Sequence, residues 1–495
     1  MTSADLTAGN VITSSYSKHS QQDLERLMSD SKYDLLIIGA GVSGSALLYL
    51  GTKYTDIKNI AVIEKYAAPA RVNSLSSNNS QTLHCGDIET NYTLDKALKV
   101  QRAARILRNY AVVQPDAHHI IYKYPKMVLG VGKAECDLLT ERFQVFSPHY
   151  PKLQLLDKKA IARIEVNVAM NGDRFRDDEI IALGSTDEYT AVNFEALSRS
   201  FVRQAQIEAE KTPDKTVDIH YNEYVDQIRI EGDEFIVETQ DVCYRARSLV
   251  ACAGGHSLKL AHDMGVGLNF SVLPIAGSYY FTPHVLNGKV YTVQNDALPF
   301  AAIHGDPDVL VPGETRFGPT ALVLPILERY NFKTLPDFFQ VFRFDRRVAK
   351  VLWDLLRVKD IRNYMFKNML FEIPLIRKWL FLKDVRKIIP SLKFGDLKFA
   401  NKVGGIRPQL IDKDNCKLLM GEAKIDTGIG SIFNMTPSPG GTSCLENAEL
   451  DLRTIAQHLG ANIDEAALQE DLLGDGQKHN SDDFSAVVIT GNDAS

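Results

Sequence analysis

An apolar run followed at once by a glycine-rich turn near the start of the chain restricts the fold more than any other feature. The run, YDLLII, covers residues 33–38, and the turn, GAGVSG, covers residues 39–44. Such a run is typical of a parallel strand buried on both faces, and a GxGxxG turn that leads from it into a helix is typical of a dinucleotide-binding βαβ unit. A second apolar run, IAVIE, follows and ends in Glu64. The pattern predicts an α/β fold with a Rossmann-type domain.

Each residue of the turn has a predicted role at the cofactor. Gly39 allows the tight turn, Gly41 lets the backbone approach a pyrophosphate, and Gly44 lets the helix pack closely on the strand. The helix N-terminus, which contains Val42 and Ser43, offers amide groups and a partial positive charge to the phosphates. We therefore expect this turn to bind the phosphates of a dinucleotide.

Two later segments favour FAD over NAD. The run SLVACAGGHS (residues 248–257) ends in a glycine pair that can bring backbone against a dinucleotide at the sheet edge. Near the C-terminus, a Pro/Gly turn leads into a predicted helix from about Ser443 to Leu459. The N-terminus of that helix suits the N1–C2=O edge of a flavin and would stabilise its reduced, anionic form by roughly 0.3–2 kcal/mol. An NAD enzyme has no reason to return to the cofactor this late in the chain.

The other candidate cofactor contacts lie in the second strand and in four later segments. The polar loop SSNNSQTLHCGDIETNY (residues 76–92) precedes a helix with Thr93 as its predicted N-cap, and we expect the loop over the reactive face of a flavin. His84 and Cys85 in this loop are adjacent rather than spaced as metal ligands, so we expect no metal site. The candidate contacts are Glu64, Asn79, Ser80, Gln81, Thr82, Val225, Gly254, Gly440, Gly441, Thr442 and Ser443.

The composition argues against several classes of protein. The formal net charge of −6 argues against nucleic acid as the main partner, because phosphate binding needs a basic surface. The six cysteines have no CxxC or regular spacing, which is typical of free thiols in a reducing compartment. No run approaches eighteen uninterrupted apolar residues, so we expect no membrane-spanning helix.

A basic, aromatic segment lies within this acidic chain. Residues 345–393 contain thirteen Lys and Arg residues against five acidic residues, and both tryptophans of the chain, Trp353 and Trp379, lie there. A basic amphipathic stretch with aromatic residues is typical of helices that lie in the plane of a membrane surface. We expect this segment to contact a membrane, and the alternative is a helical subdomain whose charges face water.

Six stretches of the sequence are specific enough to compare with known families. They are NSQTLHCGDIETNYT, LPIAGSYYF, VYTVQNDALPFAAIHGDPD, TRFGPTAL, GGIRPQ and NMTPSPGGTSCLENA. Together they resemble the malate:quinone oxidoreductases of the short ε-proteobacterial type, over about residues 34–459. The N-terminal leader and the C-terminal tail depart from the short members of that family.

The resemblance implies a fold, an activity and a location. The fold is an FAD-binding domain like that of the D-amino-acid oxidases, interleaved with a β-rich substrate domain. The activity is oxidation of (S)-malate to oxaloacetate by non-covalent FAD, with transfer of electrons to membrane quinone. The location is peripheral, on the cytoplasmic face of a bacterial inner membrane or, in a eukaryote, at the mitochondrial inner membrane.

The expected organisation of the chain alternates between the two domains. A flexible leader (1–30) precedes the first part, and a partly disordered tail (461–495) follows the last. The FAD-binding parts are residues 31–115, 216–265 and 401–460, and the substrate parts are residues 116–215 and 266–400.

Two alternative functions remain open. An FAD-dependent oxidase or dehydrogenase of L-2-hydroxyglutarate or a related 2-hydroxyacid would carry similar flavin motifs and differ in pocket length and electron acceptor. A flavin-binding scaffold without activity is the alternative from another class. The presence of His304, Arg316 and Arg407 argues against the scaffold.

The oxidation of malate needs a base for the hydroxyl proton. We predict His304, in AAIHGDPD, as this base, because imidazole has the right pKa range, with Asp306 or Asp308 orienting it. The alternative for His304 is a turn histidine bonded to backbone. His84 is the rival base, although a role in positioning the flavin is the preferred prediction for it.

The two carboxylates of malate need cations. The resemblance to amino-acid oxidases implies that Arg407, in GIRPQ, holds one carboxylate, and Arg316, in TRFGP, is the second candidate. Arginine is suited to this role because its planar fork binds a carboxylate through two hydrogen bonds. The alternative for either residue is an ion pair at the surface or between domains.

Overall fold

The computed structural model describes residues 28–294, 303–374, 376–419, 421–474 and 487–490. The first strand, Met28–Ile38, begins inside the predicted leader, and the rest of that leader lies outside the described residues. Within these residues no helix is both long enough and apolar enough to cross a bilayer.

A nine-stranded central sheet confirms the predicted Rossmann-type domain. Five of its strands are parallel, in the order Thr216–Tyr221, Asn59–Glu64, Met28–Ile38, Cys243–Ala251 and Ser431–Met435. The sheet continues through an antiparallel strand and an edge strand, which are Ala423–Asp426 and Val487–Thr490. A hairpin joins the sheet beside Cys243–Ala251, and its strands are Val225–Glu231 and Glu234–Thr239.

Both faces of the first strand are buried, which explains its unbroken apolar run. Leu35 and Ile37 belong to one hydrophobic core, whereas Leu36 belongs to another, because successive side chains of a strand point to opposite faces. The helices that pack into the first core are Val42–Tyr54, Leu94–Val112, Phe194–Lys211 and Cys444–Leu459. The helices that pack into the second are Gly255–Asp263 and Leu335–Phe342.

The second domain is rich in β-structure, as expected. Its largest sheet has eight strands in the order Lys398–Phe399, Tyr280–Pro283, Glu314–Gly318, His304–Pro307, Lys289–Thr292, Lys126–Val131, Ile180–Ser185 and Gln154–Leu156. A four-stranded sheet has the order Leu322–Val323, Phe270–Ala276, Ile406–Asp412 and Lys417–Leu418. Two small hairpins pair Ile121–Lys123 with Tyr189–Val192 and Met170–Asn171 with Arg174–Phe175.

The remaining helices include the basic segment. That segment forms Arg346–Arg357, Lys359–Leu370 and Arg377–Val385. The other helices are Ala117–Ile120, Lys133–Phe146, Lys158–Ile164, Val166–Ala169 and Glu465–Leu468, and the short 3₁₀ or π turns are Ser76–Asn78, Phe332–Thr334 and Gln469–Leu473. The predicted N-cap at Thr93 is confirmed, since its side chain accepts a hydrogen bond from the Lys96 amide.

Two expected domain boundaries differ in the structure. The helix Phe194–Lys211 was assigned to the substrate domain, but it packs against the central sheet through an apolar face that includes Leu197 and Phe201. The strand Ile406–Asp412 was assigned to the FAD-binding domain, but it pairs with Phe270–Ala276 in the four-stranded sheet. Neither boundary carries a local signal, because what an apolar face or strand packs against depends on distant parts of the chain.

Part of the predicted C-terminal tail is folded. Glu465–Leu468 and Gln469–Leu473 pack onto the first core, with Leu468 fully buried there. The carboxylate of Asp471 accepts a hydrogen bond from the Tyr54 hydroxyl at 2.9 Å. Single helical turns contain too few residues to show a periodic pattern, so the polar composition of this region concealed them.

Candidate active site

The predicted glycine turn lines a cleft to which both domains contribute residues. Gly39 has a φ of +99°, and a Cβ atom there would lie 2.7 Å from the carbonyl oxygen of Cys252, so the turn requires glycine. A Cβ atom on Gly44 would lie 2.0 Å from the carbonyl oxygen of Gly39, so the close packing of helix on strand also requires glycine. Gly41 lines the cleft at the helix N-terminus. This arrangement suits a pyrophosphate.

Glu64 lies at the cleft wall, where a ribose-binding carboxylate is expected. Its Oε2 accepts a hydrogen bond from the Ala40 amide at 2.8 Å, and its Oε1 accepts one from the Tyr66 amide at 3.0 Å. Burial raises the pKa of the Glu64 carboxyl, while the two backbone donors act in the opposite direction. Each carboxylate oxygen retains a second lone pair, so Glu64 can still accept from a ribose hydroxyl.

The turn before the helix Cys444–Leu459 forms another part of the cleft wall. Gly440, Gly441 and Thr442 line it, and a Cβ atom on Gly440 would lie 2.5 Å from the carbonyl oxygen of Thr436. A second helix N-terminus therefore stands at the same cleft as the glycine turn, as the argument for FAD requires.

Most of the predicted cofactor contacts line the cleft. They are Gly39, Gly41, Val42, Ser43, Glu64, Asn79, Ser80, Thr82, Val225, Gly254, Gly440, Gly441 and Thr442. Gly44, Gln81 and Ser443 are not among the lining residues, and Gly44 acts through packing instead. The Gln81 side chain donates to the carbonyl oxygen of Ser76 at 3.0 Å, and the Ser443 hydroxyl donates to Glu422. The last two side chains are thus engaged within the protein, and a contact between them and the cofactor stays a prediction.

His84 lies at the cleft wall and contacts a fully buried carboxylate. Its Nδ1 donates to Oε1 of Glu89 at 2.7 Å, and Oε2 of Glu89 accepts from the Gly86 amide at 3.0 Å. Burial would raise the pKa of Glu89, but the hydrogen bond with His84, the charge of the imidazolium form of His84 and the charge of Lys126 outweigh burial and hold this pKa below its usual value. An ionised carboxylate only accepts, so Nδ1 carries the proton and Nε2 of a neutral His84 keeps its lone pair. This geometry suits a general base.

A cation and a tyrosine line the same cleft. Arg407 makes no side-chain hydrogen bond or ion pair with the described part of the chain. Tyr279 is buried, and the guanidinium carbon of Arg316 lies 4.6 Å from the centroid of its ring. Burial raises the pKa of Tyr279, so its hydroxyl remains a hydrogen-bond donor at neutral pH. Together, Arg407 and Tyr279 can receive a substrate carboxylate.

The predicted base, His304, does not line the cleft. Its ring stacks on that of Tyr291 with the centroids 4.3 Å apart, and its Nε2 lies 3.5 Å from Oδ1 of Asp306. The preceding residues of its motif, 295–302, lie outside the described residues. Since His304 and Asp306 share one face of their strand, both point into a buried polar interface behind the cleft wall. Of the two candidate histidines, His84 is therefore the one that lines the cleft.

Arg316 belongs to the same buried interface. Its side chain is 1% exposed, with Nη2 3.6 Å from Oδ2 of Asp306 and Nη1 3.4 Å from Oδ2 of Asp308. Lys289 adds a second cation, 3.5 Å from Asp306. Arg316, like its partner Asp306, does not line the cleft, and Arg316 contacts Tyr279, which does.

Sequence reasoning missed Glu89 and Tyr279. The only local signal for Glu89 was an acid in the same polar loop as His84, and Tyr279 lay in a stretch quoted only for its resemblance. In the described part of the chain, no group of three or more His, Cys, Asp or Glu side chains could hold a metal ion. The six cysteines are free, as predicted.

Comparison with known proteins shows which family this chain belongs to. Residues 31–472 match the model of the malate:quinone oxidoreductases (Mqo). The chain belongs to this family. A probable malate:quinone oxidoreductase from Campylobacter jejuni is 46% identical over 453 residues, which are 90% of this chain and 100% of that protein. The malate:quinone oxidoreductase of Helicobacter pylori is 42% identical over 446 residues, 89% of this chain and 98% of that protein.

Solved structures share the fold at lower sequence identity. L-α-Glycerophosphate oxidase from Mycoplasma pneumoniae, solved with FAD bound, matches with a TM-score of 0.59 and 19% identity, covering 88% of this chain and 96% of that chain. Glycine oxidase from Geobacillus kaustophilus matches with a TM-score of 0.57 and 15% identity, covering 86% of this chain and 95% of that chain. This chain therefore shares its fold with these two oxidases.

Proposed function

We propose that this chain oxidises (S)-malate to oxaloacetate with FAD as its cofactor and passes the electrons to a membrane quinone. One observation carries the proposal: a continuous cleft joins a dinucleotide cradle to Arg407, Tyr279 and the pair His84–Glu89. Family membership supports malate and quinone as the substrates, since relatives at 42–46% identity are named for them.

FAD fits the cleft because each of its polar parts meets a suitable group. The turn at Gly39 and Gly41 would hold the pyrophosphate, Glu64 the ribose, and the N-terminus of Cys444–Leu459 the polar edge of the flavin ring. When bound, FAD supplies the acceptor for the hydride that leaves C2 of malate.

His84 is the base in this proposal. Since Nδ1 donates to Glu89, Nε2 is the nitrogen that takes the proton from the malate hydroxyl. The negative charge of Glu89 stabilises the imidazolium that results. Arg407 binds one carboxylate of malate, and the Tyr279 hydroxyl donates a further hydrogen bond to the substrate.

The basic segment is the proposed membrane contact. Of the 26 large apolar side chains that are exposed in the described chain, fourteen lie within residues 330–394. We call the most exposed aromatic residues of this segment and of the stretch just before it the aromatic patch, which comprises Phe332, Phe339, Phe344, Trp353, Phe366 and Trp379. Exposed aromatic residues among many Lys and Arg residues suit an anionic membrane surface, which attracts the charges and accepts the rings at its interface.

Anaerobic titration of the purified yellow protein tests the activity. Malate should bleach the flavin absorbance, and a short-chain quinone should restore it. If L-2-hydroxyglutarate bleaches the protein and malate does not, the alternative hydroxyacid activity replaces the proposal; a relative at 24% identity carries an L-2-hydroxyglutarate dehydrogenase name. A protein that binds no FAD would exclude both oxidations.

Variants of the two histidines test the choice of base. His84→Ala should abolish rapid bleaching by malate and retain FAD. His304→Ala should bleach at a rate close to that of the wild type if it folds, because His304 does not line the cleft. The opposite pattern would make His304 the base.

Flotation with vesicles tests the membrane contact. Replacing both Trp353 and Trp379 with Ser should lower the fraction of protein that floats with anionic vesicles several-fold. Phe175→Ser is a matched control, because Phe175 is also exposed but lies outside the basic segment. Equal flotation of all three proteins would reject the aromatic patch as the contact.

A further inference from the structure

A buried lysine of the substrate domain contacts the loop that carries the proposed base. Lys126 begins a strand of the eight-stranded sheet, and its side chain is 2% exposed. Its Nζ donates to Oδ1 of Asp87 at 2.7 Å and lies 2.9 Å from Oε2 of Glu188. Asp87 is as buried as Lys126 and lies two residues before Glu89 in the loop. A buried cation is therefore tied to the loop that positions the pair His84–Glu89.

A second cation of the same domain fixes the backbone of this loop. Arg142 lies on the helix Lys133–Phe146, and its Nη2 donates to the carbonyl oxygen of Glu89 at 2.8 Å. Its Nη1 donates to the carbonyl oxygen of Tyr92 at 3.0 Å. Longer contacts, of 3.4–3.5 Å, join the same guanidinium to the carbonyl oxygens of Gly86, Asp87 and Thr90. The loop thus winds around one guanidinium, which holds the carboxylates of the loop in place relative to Lys126.

Lys126 is the counter-charge of this buried cluster. Burial alone would lower the pKa of Lys126, but its anionic neighbours, Asp87 above all, raise it well above its usual value. Burial would raise the pKa of Glu188, but the charge of Lys126 holds it below its usual value. The same charge helps His84 to keep the pKa of Glu89 low against burial. One lysine therefore balances the carboxylates of Asp87, Glu89 and Glu188.

Other titratable groups surround the cluster. They are Cys85, Tyr92, Lys96, Tyr150, Lys152 and Tyr291. Burial raises the pKa of the Cys85 thiol to about 12 and also raises the pKa values of the three tyrosines, so these four groups are uncharged at neutral pH. Lys152 is more than half exposed, where water and salt screen its charge. The ammonium of Lys96 lies over the ring of Tyr92, 4.3 Å from the centroid. Removal of the Lys126 charge would therefore leave Asp87 and Glu188 without the buried cation that they contact.

We propose that Lys126 is a positioning residue of the reaction, which acts through Glu89 and sets the pH range in which His84 works as the base. This inference rests on the proposed function. His84 accepts the malate proton only while the pair His84–Glu89 carries no extra proton. A nearby cation eases the loss of that extra proton, and a nearby carboxylate opposes it. Lys126 thus keeps the base available at a pH where the carboxylates alone would retain the extra proton.

Lys126→Met tests the charge, because methionine removes it and keeps an unbranched side chain of similar length. The rate constant of flavin bleaching at saturating malate is measured anaerobically as a function of pH. The midpoint of the acid limb should move to higher pH by about one unit, while the rate on the high-pH plateau stays near that of the wild type. Lys123→Met is the matched control, since Lys123 is half exposed and pairs with Asp187. An unshifted midpoint in folded Lys126→Met, or an equal shift in Lys123→Met, overturns the proposal.

Glu188→Gln tests the same balance in the opposite direction. Glu188 is partly exposed and contacts Lys126, so glutamine removes one negative charge with little change of shape. The midpoint should move to lower pH, by less than the shift in Lys126→Met, and a general loosening of the fold does not produce opposite shifts. If Lys126→Met does not fold, Glu188→Gln decides. A midpoint at lower pH supports the proposal, and an unchanged or higher midpoint overturns it.

Modification of His84 by diethyl pyrocarbonate supplies a readout that needs neither malate nor turnover. The reagent reacts with neutral imidazole, and His84 lines the cleft, so mass spectrometry of its peptide gives the extent of modification at each pH. The midpoint of modification should rise in Lys126→Met and fall in Glu188→Gln. The same midpoint in both variants and the wild type would overturn the proposal. Failure of malate to bleach the wild-type protein instead rejects the proposed function, and the modification midpoints then still show whether Lys126 controls the protonation of His84.

Discussion

The carboxylate behind His84 provides the sharpest test of the proposed base. In Glu89→Gln the side chain keeps its shape, but the charge that accepts from His84 Nδ1 at 2.7 Å is lost. A hydrogen bond to a charged group contributes about 1.5–3 kcal/mol. Since about 1.4 kcal/mol corresponds to a factor of ten in rate, and the charge of Glu89 stabilises the imidazolium formed during reaction, proton removal should slow by about 10- to 100-fold.

Anaerobic stopped-flow measurement of flavin bleaching at saturating malate isolates this step from reoxidation. The bleaching rate constant should fall, whereas the apparent malate affinity and the FAD content should stay near wild type, because Glu89 does not line the cleft. Glu89→Asp should recover part of the rate, since it restores the charge with a shorter reach. A wild-type bleaching rate in Glu89→Gln would refute the role of the pair His84–Glu89.

Three further changes probe the cleft and its support. Arg407→Ala should raise the apparent dissociation constant for malate by about 100-fold in the same titration, and an unchanged value would reject the clamp. Gly44→Ala should lower the melting temperature and the FAD content, because its Cβ would lie 2.0 Å from a backbone oxygen, whereas Gly395→Ala, where nothing lies within 4 Å, should change neither. Burial raises the pKa of Glu446 to about 7, above the usual 4.5. The contribution of the protonated carboxyl to the free energy of unfolding is therefore complete below pH 4.5 and is lost as the pH rises through 7. The melting temperature of Glu446→Gln minus that of the wild type should therefore increase from pH 5 to pH 8. A difference that does not change with pH would contradict this pKa.

The central part of the fold was predictable because its signals are local. The strand 33–38, the glycine turn and the helix after it are adjacent in sequence, and the structure shows that a Cβ atom on Gly39 or Gly44 would clash with backbone. The helix at Cys444–Leu459 was predictable for the same reason, from a turn followed by a periodic pattern. The packing partner of Phe194–Lys211 was not, because its apolar face is the same whichever sheet it covers.

The candidate site was only partly predictable, because its chemistry depends on contacts between distant residues. The sequence favoured His304 over His84 as the base, but both histidines have acids nearby and the sequence does not show which of them reaches the cleft. The structure separates them by placement: His84 lines the cleft, whereas His304 stacks on Tyr291 behind it. Arg407 was found because its motif resembles that of related oxidases, while Glu89 had no motif to mark it.

The loop at residues 76–92 explains why the proposed chemistry requires both domains. The Thr442 hydroxyl accepts a hydrogen bond from the His84 amide at 3.0 Å, which fixes the proposed base to the turn before the last long helix. Two residues earlier, the hydroxyl of Thr82 lies 3.0 Å from the hydroxyl of Tyr291, in the eight-stranded sheet. Arg407 comes from the four-stranded sheet, so the base and the substrate cation reach one cleft from separate domains. A shift between the domains would therefore change the distance from base to bound malate without altering either residue.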